Sequence, residues 1–318
     1  MTRPGARLEI GRVTMLTNPA SGHGNAPHAA ERAIARLQQR GVDVIEIVGT
    51  DAAHAGRLVR ESLDRGTDAL VVAGGDGVIS IALQALAGNS GGGSIPMGII
   101  PAGTGNDHAR EYGLPTGDPE AAADIVADGW AETVDLGRIE SGDGPGKQTK
   151  WFGTVVATGF DSLVSDRTNR MSWPHGRMRY NVAMLAELSK LRLLPFRLVL
   201  DEGSGRSRTI TADLTLVAVG NTRSYGGGMR ITPNADHSDG LLDITMVHSA
   251  SRTKLIRLFP TVFKGTHIDL DAVTTARAAT VTVESPGINA YADGEYACPL
   301  PAEISAVPGA LQILVRAG

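Results

Sequence analysis

Two glycine-rich turns, each placed directly after a short apolar run, constrain the fold of this chain more than any other feature. The first turn, residues 74–77, follows the run at 69–73, and the second, residues 101–107, follows the run at 97–100. Short β-branched runs that end in glycine are typical of buried parallel strands. Glycines let backbone N–H groups approach phosphate oxygens, and a helix that follows directs its positive end to the same place. The two turns therefore predict a binding site for a phosphorylated ligand.

The segments around these turns alternate between strand and helix. Strands are predicted at residues 12–18, 42–48, 69–73 and 97–100, and helices at 27–40, 53–65, 78–87 and from Asp107 onward. This alternation predicts an open, doubly wound α/β domain. Ligands of such domains bind beyond the carboxyl ends of the strands, which is where both glycine turns lie.

Beyond Asp135 the pattern changes to β-type runs. Residues 141–146 are predicted as a hairpin turn or short linker. Strand-like runs follow at residues 151–158, 196–201, 208–219, 241–247 and 279–284, interrupted by one helix at 177–193. Their spacing predicts an antiparallel sandwich. The last apolar run, residues 310–315, is predicted to return to the first domain.

Composition excludes several classes of protein. The 318 residues carry a net charge of −4, which argues against general nucleic-acid binding. The single cysteine excludes an intramolecular disulfide, and no segment reaches the roughly 18 apolar residues of a membrane-spanning helix. The first 146 residues contain no lysine, so a P-loop is excluded there. We expect a cytoplasmic protein whose contact with membranes is peripheral.

Two carboxylates in the glycine turns point to a more specific chemistry. The carboxylates of Asp76 and Asp107 would repel a phosphate unless a divalent cation or a substrate hydroxyl lies between carboxylate and phosphate. This arrangement suggests phosphoryl transfer from a nucleotide. In the alternative interpretation, Asp76 is a turn residue that caps the following helix. The histidines, His108 and His267 among them, show no metal-ligand spacing and are expected on the surface or in loops.

An ordered series of short motifs runs along nearly the whole chain. It comprises Asn18-Pro19 with Ser21-Gly22, the two glycine turns, Asp135-Leu136-Gly137, Thr158-Gly159-Phe160-Asp161, the stretch 220–243, and Asp293-Gly294-Glu295. This series resembles the diacylglycerol kinase catalytic family, which shares its nucleotide domain with NAD kinases. The resemblance implies an α/β N-terminal nucleotide-binding domain and a C-terminal antiparallel β-sandwich, with the active-site cleft between them. Residues 1–137, completed by about 303–318, would bind ATP, and residues 138–302 would bind the lipid substrate.

The resemblance also implies roles for individual residues, with ATP and Mg²⁺ as cofactors. The ATP phosphates would be lined by Asn18, Ser21, Gly74, Gly75, Gly77, Gly103, Thr104 and Asn106. Asp293 matches the general base that takes the proton of the lipid hydroxyl, and Glu295 and Asp76 would sit beside the catalytic magnesium. A second, structural magnesium site would involve Asp239, the carbonyl of Leu241 and Asp135.

The activity implied is phosphorylation of a lipid hydroxyl, with diacylglycerol to phosphatidic acid as the leading case. Sphingoid bases, phosphatidylglycerol and prenols remain open as acceptors, as do an NAD kinase and a lipid- or nucleotide-sensing protein without transfer activity. The last alternative is motivated by two departures from the family pattern, Val78 in place of a threonine and Ser80-Ile81 in place of an Asn-Glu pair. Val78 cannot offer a hydroxyl to a phosphate.

Residues 167–197 combine positive charge with apolar side chains. They contain seven arginines and lysines and one acidic residue, Glu187. Such a segment suits the surface of an anionic membrane. Alternatively, the helix packs Met184, Leu185, Leu188 and Leu191 onto the sandwich and leaves its arginines in solvent. The oligomeric state is open, a homodimer included.

Overall fold

The computed structural model describes residues 5–18, 25–87, 95–171, 173, 177–203, 205, 207–248 and 251–317. Contacts divide the chain into two compact units. The first unit comprises Met1–Leu136 and Val307–Gly318, and the second comprises Gly137–Ala306. The predicted fold class, an α/β domain followed by an antiparallel β-sandwich, is confirmed.

Within the described residues the chain forms helices and strands of ordinary length. The helices are α1 (Asn25–Gln39), α2 (Ala52–Asp64), α3 (Asp76–Ala87), α4 (Asp107–Glu111), α5 (Pro119–Asp128), α6 (Phe160–Arg170), α7 (Arg177–Ser189) and α8 (Arg252–Lys264). The strands are β1 (Ala6–Arg7), β2 (Arg12–Thr17), β3 (Asp43–Val48), β4 (Ala69–Gly74), β5 (Met97–Pro101), β6 (Trp130–Ser141), β7 (Gln148–Phe152), β8 (Val155–Gly159), β9 (Leu194–Asp201), β10 (Ser207–Leu214), β11 (Leu216–Gly220), β12 (Leu242–Val247), β13 (Val273–Ala278), β14 (Thr280–Glu284), β15 (Asn289–Ala292), β16 (Glu295–Pro299) and β17 (Ala302–Leu314). None of the helices formed by these residues is long and apolar enough to cross a lipid bilayer.

A parallel sheet forms the centre of the first unit, with strand order β17-β5-β4-β2-β3. The last part of β17 joins it, because Ile313 pairs with Met97. The chain moves from β2 to β3 on one side and then returns to place β4 on the other side of β2. This reversal between β2 and β4 is where open α/β sheets form a crevice for ligands.

Both faces of this sheet are covered by helices. All six residues of β4 are buried, which is why its sequence is an uninterrupted apolar run. One face packs Val13, Met15 and Val71 against residues of α1 and α5. The other face is covered by α2 and α3, which contact β2, β3 and β4.

Two antiparallel sheets make up the second unit. One has the order β10-β9-β14-β17, with the first part of β17 paired to β14, and the other has the order β13-β12-β11-β8-β15-β16. Phe196 and Leu198 of β9 share one buried core with Val217 of β11 and Ile244 of β12. Alternate residues of β9 are buried, as expected for a strand with one face on a core. The arrangement is therefore a sandwich.

Several predicted boundaries in the second unit were wrong. The run at 151–158 is two strands, β7 and β8, separated by Gly153 and Thr154, and the run at 208–219 is β10 and β11, separated by Thr215. In both cases the interrupting residues bond elsewhere; Thr215, for example, accepts a hydrogen bond from the backbone of Phe160. The single predicted helix corresponds to α7, and sequence analysis missed α6 and α8 beside it, and α5 in the first unit.

A close contact between β6 and β7 gives a test of this packing. Gly137 pairs with Phe152, whose side chain is fully buried, and a Cβ atom at Gly137 would lie 2.0 Å from Cζ of that ring. We expect Gly137→Ala to destabilise the protein by about 1–3 kcal/mol, because overpacking forces the ring out of place. Thermal melting measures the loss. The control is Gly146→Ala, where a Cβ would meet nothing within 4 Å; equal melting temperatures for the two variants would contradict this packing.

Candidate active site

The two glycine turns meet in the first unit because their strands are neighbours. β4 ends at Gly74 and β5 ends at Pro101, and these two residues are paired in the parallel register. The backbone N–H of Ala102 donates to the carbonyl of Gly74 over 2.9 Å. Helix α3 begins two residues after Gly74, and α4 begins at Asp107. Both turns therefore lie at the carboxyl edge of the sheet, as predicted.

Backbone contact between the turns explains why both need glycine. A Cβ atom at Gly103 would lie 2.4 Å from Cα of Gly75, and a Cβ at Gly75 would lie 3.0 Å from Cα of Gly103. No side chain fits at Gly103 unless one of the turns moves. The glycines thus serve to pack the turns together, in addition to opening the backbone to a ligand.

Asn106 closes the second turn with its own side chain. Its backbone adopts the left-handed conformation, with φ of 53°. Its Oδ1 accepts a hydrogen bond from the N–H of Gly103 at 3.0 Å, and its Nδ2 donates to the carbonyl of Gly103 at 2.9 Å. Thr104, at the tip of this turn, is exposed, as is Gly77 in the first turn of α3. Asn106 therefore shapes the turn, while Thr104 and Gly77 are accessible to a ligand.

Asp76 is held at the centre of this edge by a residue that sequence analysis missed. The carboxylate oxygen Oδ1 accepts a hydrogen bond from the backbone N–H of His108 at 3.3 Å and lies 3.1 Å from Nδ1 of the same residue. Burial by itself would raise the pKa of Asp76, but hydrogen bonds and charge from His108 outweigh it and hold that pKa below its usual range. The expectation that His108 lies on the surface was wrong, because α4 turns its side chain inward beside Asp76. His267 is also buried, with Nε2 3.0 Å from the carbonyl of Ile231.

Two carboxylates face Gly105. A Cβ atom at Gly105 would lie 2.6 Å from Oδ2 of Asp76 and 3.6 Å from Oδ2 of Asp107. The side chain of Asp107 is buried, and Arg110 lies 3.4 Å from its Oδ1. Two carboxylate oxygens directed to one small region suit a hard divalent cation, which prefers oxygen ligands.

The remaining predicted residues of the first unit lie at two other places. Asn18 follows β2 directly, at the strand end beside the reversal of strand order. Ser21 lies outside the described residues. Asp135 lies in β6, where its Oδ1 accepts the backbone N–H of Gly309 at 2.8 Å.

Asp293 occupies the tip of the β15–β16 hairpin in the second unit. It has φ of 51° and Gly294 has φ of 81°, the two left-handed positions of a type I′ turn. Its carboxylate is almost fully buried and accepts three hydrogen bonds. Gly153 N–H donates to Oδ2 at 2.9 Å, while the N–H and Oγ1 of Thr154 donate to Oδ1 at 2.8 and 2.6 Å. Asp293 is therefore both a turn residue and a bridge to the loop between β7 and β8.

The same loop is held from a third strand. Asn221, which follows β11, donates its Nδ2 to the carbonyl of Gly153 at 3.0 Å and its backbone N–H to the carbonyl of Thr154 at 2.8 Å. The backbone N–H of Asp293 donates to the carbonyl of Val155 at 3.2 Å. Three separate stretches of sequence thus fix the carboxylate of Asp293 in one orientation.

Lys150 brings positive charge to this hairpin. Its Nζ donates to the carbonyl of Tyr296 at 2.9 Å. Burial lowers the pKa of Lys150 below its usual value, while the nearby carboxylates of Glu295 and Asp293 act in the opposite direction. Glu295 is itself exposed. Lys150 was missed in the sequence analysis, because it lies on β7, 146 residues before its partner Tyr296 in the hairpin.

Asp239, predicted with Leu241 at a second metal site, contacts both the backbone of Leu241 and the side chain of an arginine. Oδ1 of Asp239 accepts the backbone N–H of Leu241 at 3.0 Å, and its Oδ2 is paired with Nη2 of Arg277. Nε of Arg277 also lies 3.2 Å from Oδ2 of Asp243. Burial raises the pKa of Asp243, and Arg277 opposes that rise. Among the residues that the structure describes, no group of three or more His, Cys, Asp or Glu side chains could hold a metal ion.

Comparison with known proteins agrees with this architecture. The sequence model of the diacylglycerol kinase catalytic domain matches residues 12–139, and that of the YegS C-terminal NAD kinase beta sandwich-like domain matches residues 154–315. A diacylglycerol kinase of Mycobacterium tuberculosis is 69% identical over 308 residues, which cover 97% of this chain and 96% of that protein. The chain belongs to the diacylglycerol kinase family. The predicted resemblance and the predicted enzyme class, a lipid kinase, are confirmed.

More distant relatives of this kinase retain its length and fold. A diacylglycerol kinase of Bacillus subtilis is 26% identical over 294 residues, which cover 92% of each protein. The crystal structure of a diacylglycerol kinase from Bacillus anthracis superimposes with a TM-score of 0.70 at 20% identity, covering 98% of both chains. Membership of a kinase family implies the use of ATP.

The contact between the turns gives a direct test of the site in this kinase. Gly103→Ala should weaken ATP binding about tenfold or more, because the new Cβ displaces one turn from the other. It should also lower the melting temperature. Titration calorimetry with ATP and thermal melting measure the two effects. The control is Gly56→Ala within α2, where a Cβ makes only ordinary contacts and the helix gains stability; unchanged ATP affinity in Gly103→Ala would contradict the role of this contact.

Proposed function

We propose that this kinase transfers the γ-phosphoryl group of ATP to the hydroxyl of a diacylglycerol, which gives phosphatidic acid. The observation that carries the proposal is the packing of Gly75 on Gly103, which brings two turns and Asp76 to one edge of the parallel sheet. The name of the Mycobacterium tuberculosis relative supports diacylglycerol as the acceptor. Sphingoid bases, phosphatidylglycerol, prenols and NAD are the competing acceptors in the assay.

In this proposal the first unit holds the nucleotide. The phosphates accept hydrogen bonds from backbone N–H groups of the two turns, and the N-terminus of α3 adds a favourable dipole. Thr104 and Asn18 offer further polar groups beside the same edge. Ser21, three positions after Asn18 in the sequence, stays a predicted phosphate ligand. Because no lysine occurs in the first 146 residues, the phosphates would be held by backbone N–H groups, arginine, hydroxyls and metal.

Asp76 and Asp107 fit a magnesium ion, since both direct Oδ2 towards Gly105. When bound, Mg²⁺ would offset negative charge on the transferred phosphate. Glu295, in the hairpin of the second unit, stays a predicted magnesium ligand. The second magnesium site, at Asp239, the Leu241 carbonyl and Asp135, stays a prediction. The carboxylate of Asp239 already has a positively charged partner in Arg277.

Asp293 is the proposed general base. Among the described residues, Gly153 donates the one hydrogen bond to its Oδ2, which leaves a lone pair for the proton of the lipid hydroxyl. As that proton moves to Oδ2, the hydroxyl oxygen forms a bond to the γ-phosphorus. The bond from the γ-phosphorus to the bridging oxygen breaks, and ADP leaves. Lys150 brings a positive charge to the same hairpin, where its Nζ donates to the carbonyl of Tyr296.

Replacing Asp293 by Asn tests this assignment. We expect Asp293→Asn to lower kcat at least about a hundredfold with little change in ATP affinity, because an amide cannot accept the proton. The amide nitrogen would face one of the three donors, so some loss of thermal stability is also expected. Steady-state kinetics with radiolabelled ATP and a panel of lipid acceptors measures both the effect and the preferred acceptor.

Thr154→Val is the matched control for that variant. It removes the hydroxyl donor to Asp293 but keeps the carboxylate and its two backbone donors. If the role of Asp293 were only structural, the two variants would lose activity in proportion to their loss of stability. A Thr154→Val protein whose melting temperature falls as far as that of Asp293→Asn would then lose as much activity as Asp293→Asn does. Near-normal turnover of Asp293→Asn would refute the assignment of the base.

We further propose that the segment 167–197 contacts the membrane peripherally. Trp173 is 76% exposed and Leu185 is 62% exposed, and Leu193 is also exposed. Leu185 therefore does not pack on the sandwich, whereas Leu194 and Phe196 lie in its core. Among the side chains that the structure describes in this segment, Arg167 is paired with Glu187 and Arg197 with Glu284. The sequence of the segment carries seven arginines and lysines against one acidic residue, Glu187.

Reversing charge in this segment tests the membrane contact. Arg177→Glu, Arg179→Glu and Arg192→Glu together should weaken binding to vesicles that contain anionic lipid, because each cation near the headgroups contributes about 1 kcal/mol. Turnover on vesicle-embedded lipid should fall far more than turnover on a short-chain acceptor, and salt should weaken wild-type binding. A control with the same change of charge, on α2 and at its C-terminal cap, is Arg57→Glu, Arg60→Glu and Arg65→Glu. Equal vesicle sedimentation of wild type and the first triple variant would show that another surface binds the lipid.

A further inference from the structure

A single residue, His108, provides two contacts to one oxygen of Asp76. His108 is the second residue of α4, and its side chain is 2% exposed. Its backbone N–H and its ring Nδ1 lie 3.3 and 3.1 Å from Oδ1 of Asp76. The backbone contact follows from the start of α4, but the ring contact depends on the identity of the side chain.

The position of the proton on the ring follows from this contact. An ionised carboxylate only accepts hydrogen bonds, so the Nδ1 atom that faces it carries the hydrogen. The imidazole is therefore in a form protonated at Nδ1. With Nδ1 and the backbone N–H both directed to Oδ1, this oxygen has two donors and is fixed in place.

The second oxygen of Asp76 is fixed as a consequence. The terminal torsion of an aspartate is broad, so a carboxylate without partners samples many orientations. Here Oδ1 is held by His108, and Oδ2 is the oxygen that faces Gly105, where it would lie 2.6 Å from a Cβ atom. The carboxylate is thus oriented towards the glycine turns before any ligand arrives. Such preorganisation removes an ordering cost from the reaction.

We propose that His108 is a positioning residue for phosphoryl transfer, which anchors Oδ1 of Asp76 so that Oδ2 is presented to the nucleotide side of the two glycine turns. This inference rests on the proposed function of the same site. His108 itself touches neither the nucleotide nor the lipid; it acts through Asp76. Its contribution is therefore expected in kcat more than in ATP affinity.

Two substitutions separate positioning from packing. His108→Phe keeps a planar ring of similar size in the buried position but removes the Nδ1 donor. His108→Asn places an amide nitrogen where Nδ1 stood, one bond beyond Cγ, but leaves part of the ring volume empty. A positioning role predicts that Phe lowers kcat about 10- to 100-fold at near-normal stability. It also predicts that Asn retains most of kcat while the melting temperature falls.

The measured pattern decides between the two roles. Steady-state kinetics gives kcat and the KM for ATP, and thermal melting gives stability, for wild type and both variants of the full chain. If activity follows stability, so that His108→Phe is as active as wild type and His108→Asn is the impaired variant, the positioning role is refuted. A wild-type protein that phosphorylates no lipid would instead refute the proposed function, so the two failures are distinguishable.

A spectroscopic measurement without ATP or magnesium completes the test. Nitrogen-15 NMR of the histidine side chains, with the His108 signals assigned by their loss in His108→Phe, reports which ring nitrogen carries the hydrogen. We expect the hydrogen on Nδ1, with a change of the ring signals in Asp76→Asn. A ring protonated only at Nε2 would overturn the proposal whether or not either variant folds.

Discussion

Contact between the backbones of Gly75 and Gly103 is the constraint on which the candidate site in the first unit depends. Two adjacent parallel strands end at the same edge, so the turns that follow them compete for the same space. Only residues without Cβ let both turns pass close together, and helices α3 and α4 begin directly after these turns. The carboxylates of Asp76 and Asp107 reach Gly105 from these two helix starts. A chain with one bulky residue in either turn would separate the two carboxylates.

In the second unit, the candidate acidic residue is positioned by hydrogen bonds. The carboxylate of Asp293 is not placed by neighbouring strand ends but by hydrogen bonds from the β7–β8 loop, which Asn221 holds in turn. These donors are available because the strand is interrupted at Gly153 and Thr154. In a continuous β-strand, their N–H groups would donate to a neighbouring strand instead. Strong hydrogen bonding therefore fixes an acidic residue that the hairpin alone would leave at an exposed tip. Lys150 adds charge to the same place.

Periodicity and turn chemistry predicted the elements whose structure is determined locally. The parallel strands and the first three helices were found because their apolar pattern and their glycine ends are local signals. Helix α8 was missed because Pro260 lies inside it, and α6 because its sequence is mostly polar. The prediction of one strand over 151–158 is wrong because hydrogen bonds to Asp293, 140 residues after Gly153, interrupt it. His108 and Lys150 were missed for the same reason: their partners are set by tertiary contacts that leave no pattern in the nearby sequence.

Strand β17 has a consequence for how the chain is made. Its first part pairs with β14 and its last part lies beside β5, so Ile313 borders a strand that was synthesised more than two hundred residues earlier. During synthesis, the β5 edge of the parallel sheet lacks its partner strand, β17, until the whole sandwich has been translated. An uncovered edge is a site where chains pair wrongly. The first unit to emerge from the ribosome is therefore the last to be completed, and a nascent chain stalled within the sandwich would expose that edge to its neighbours.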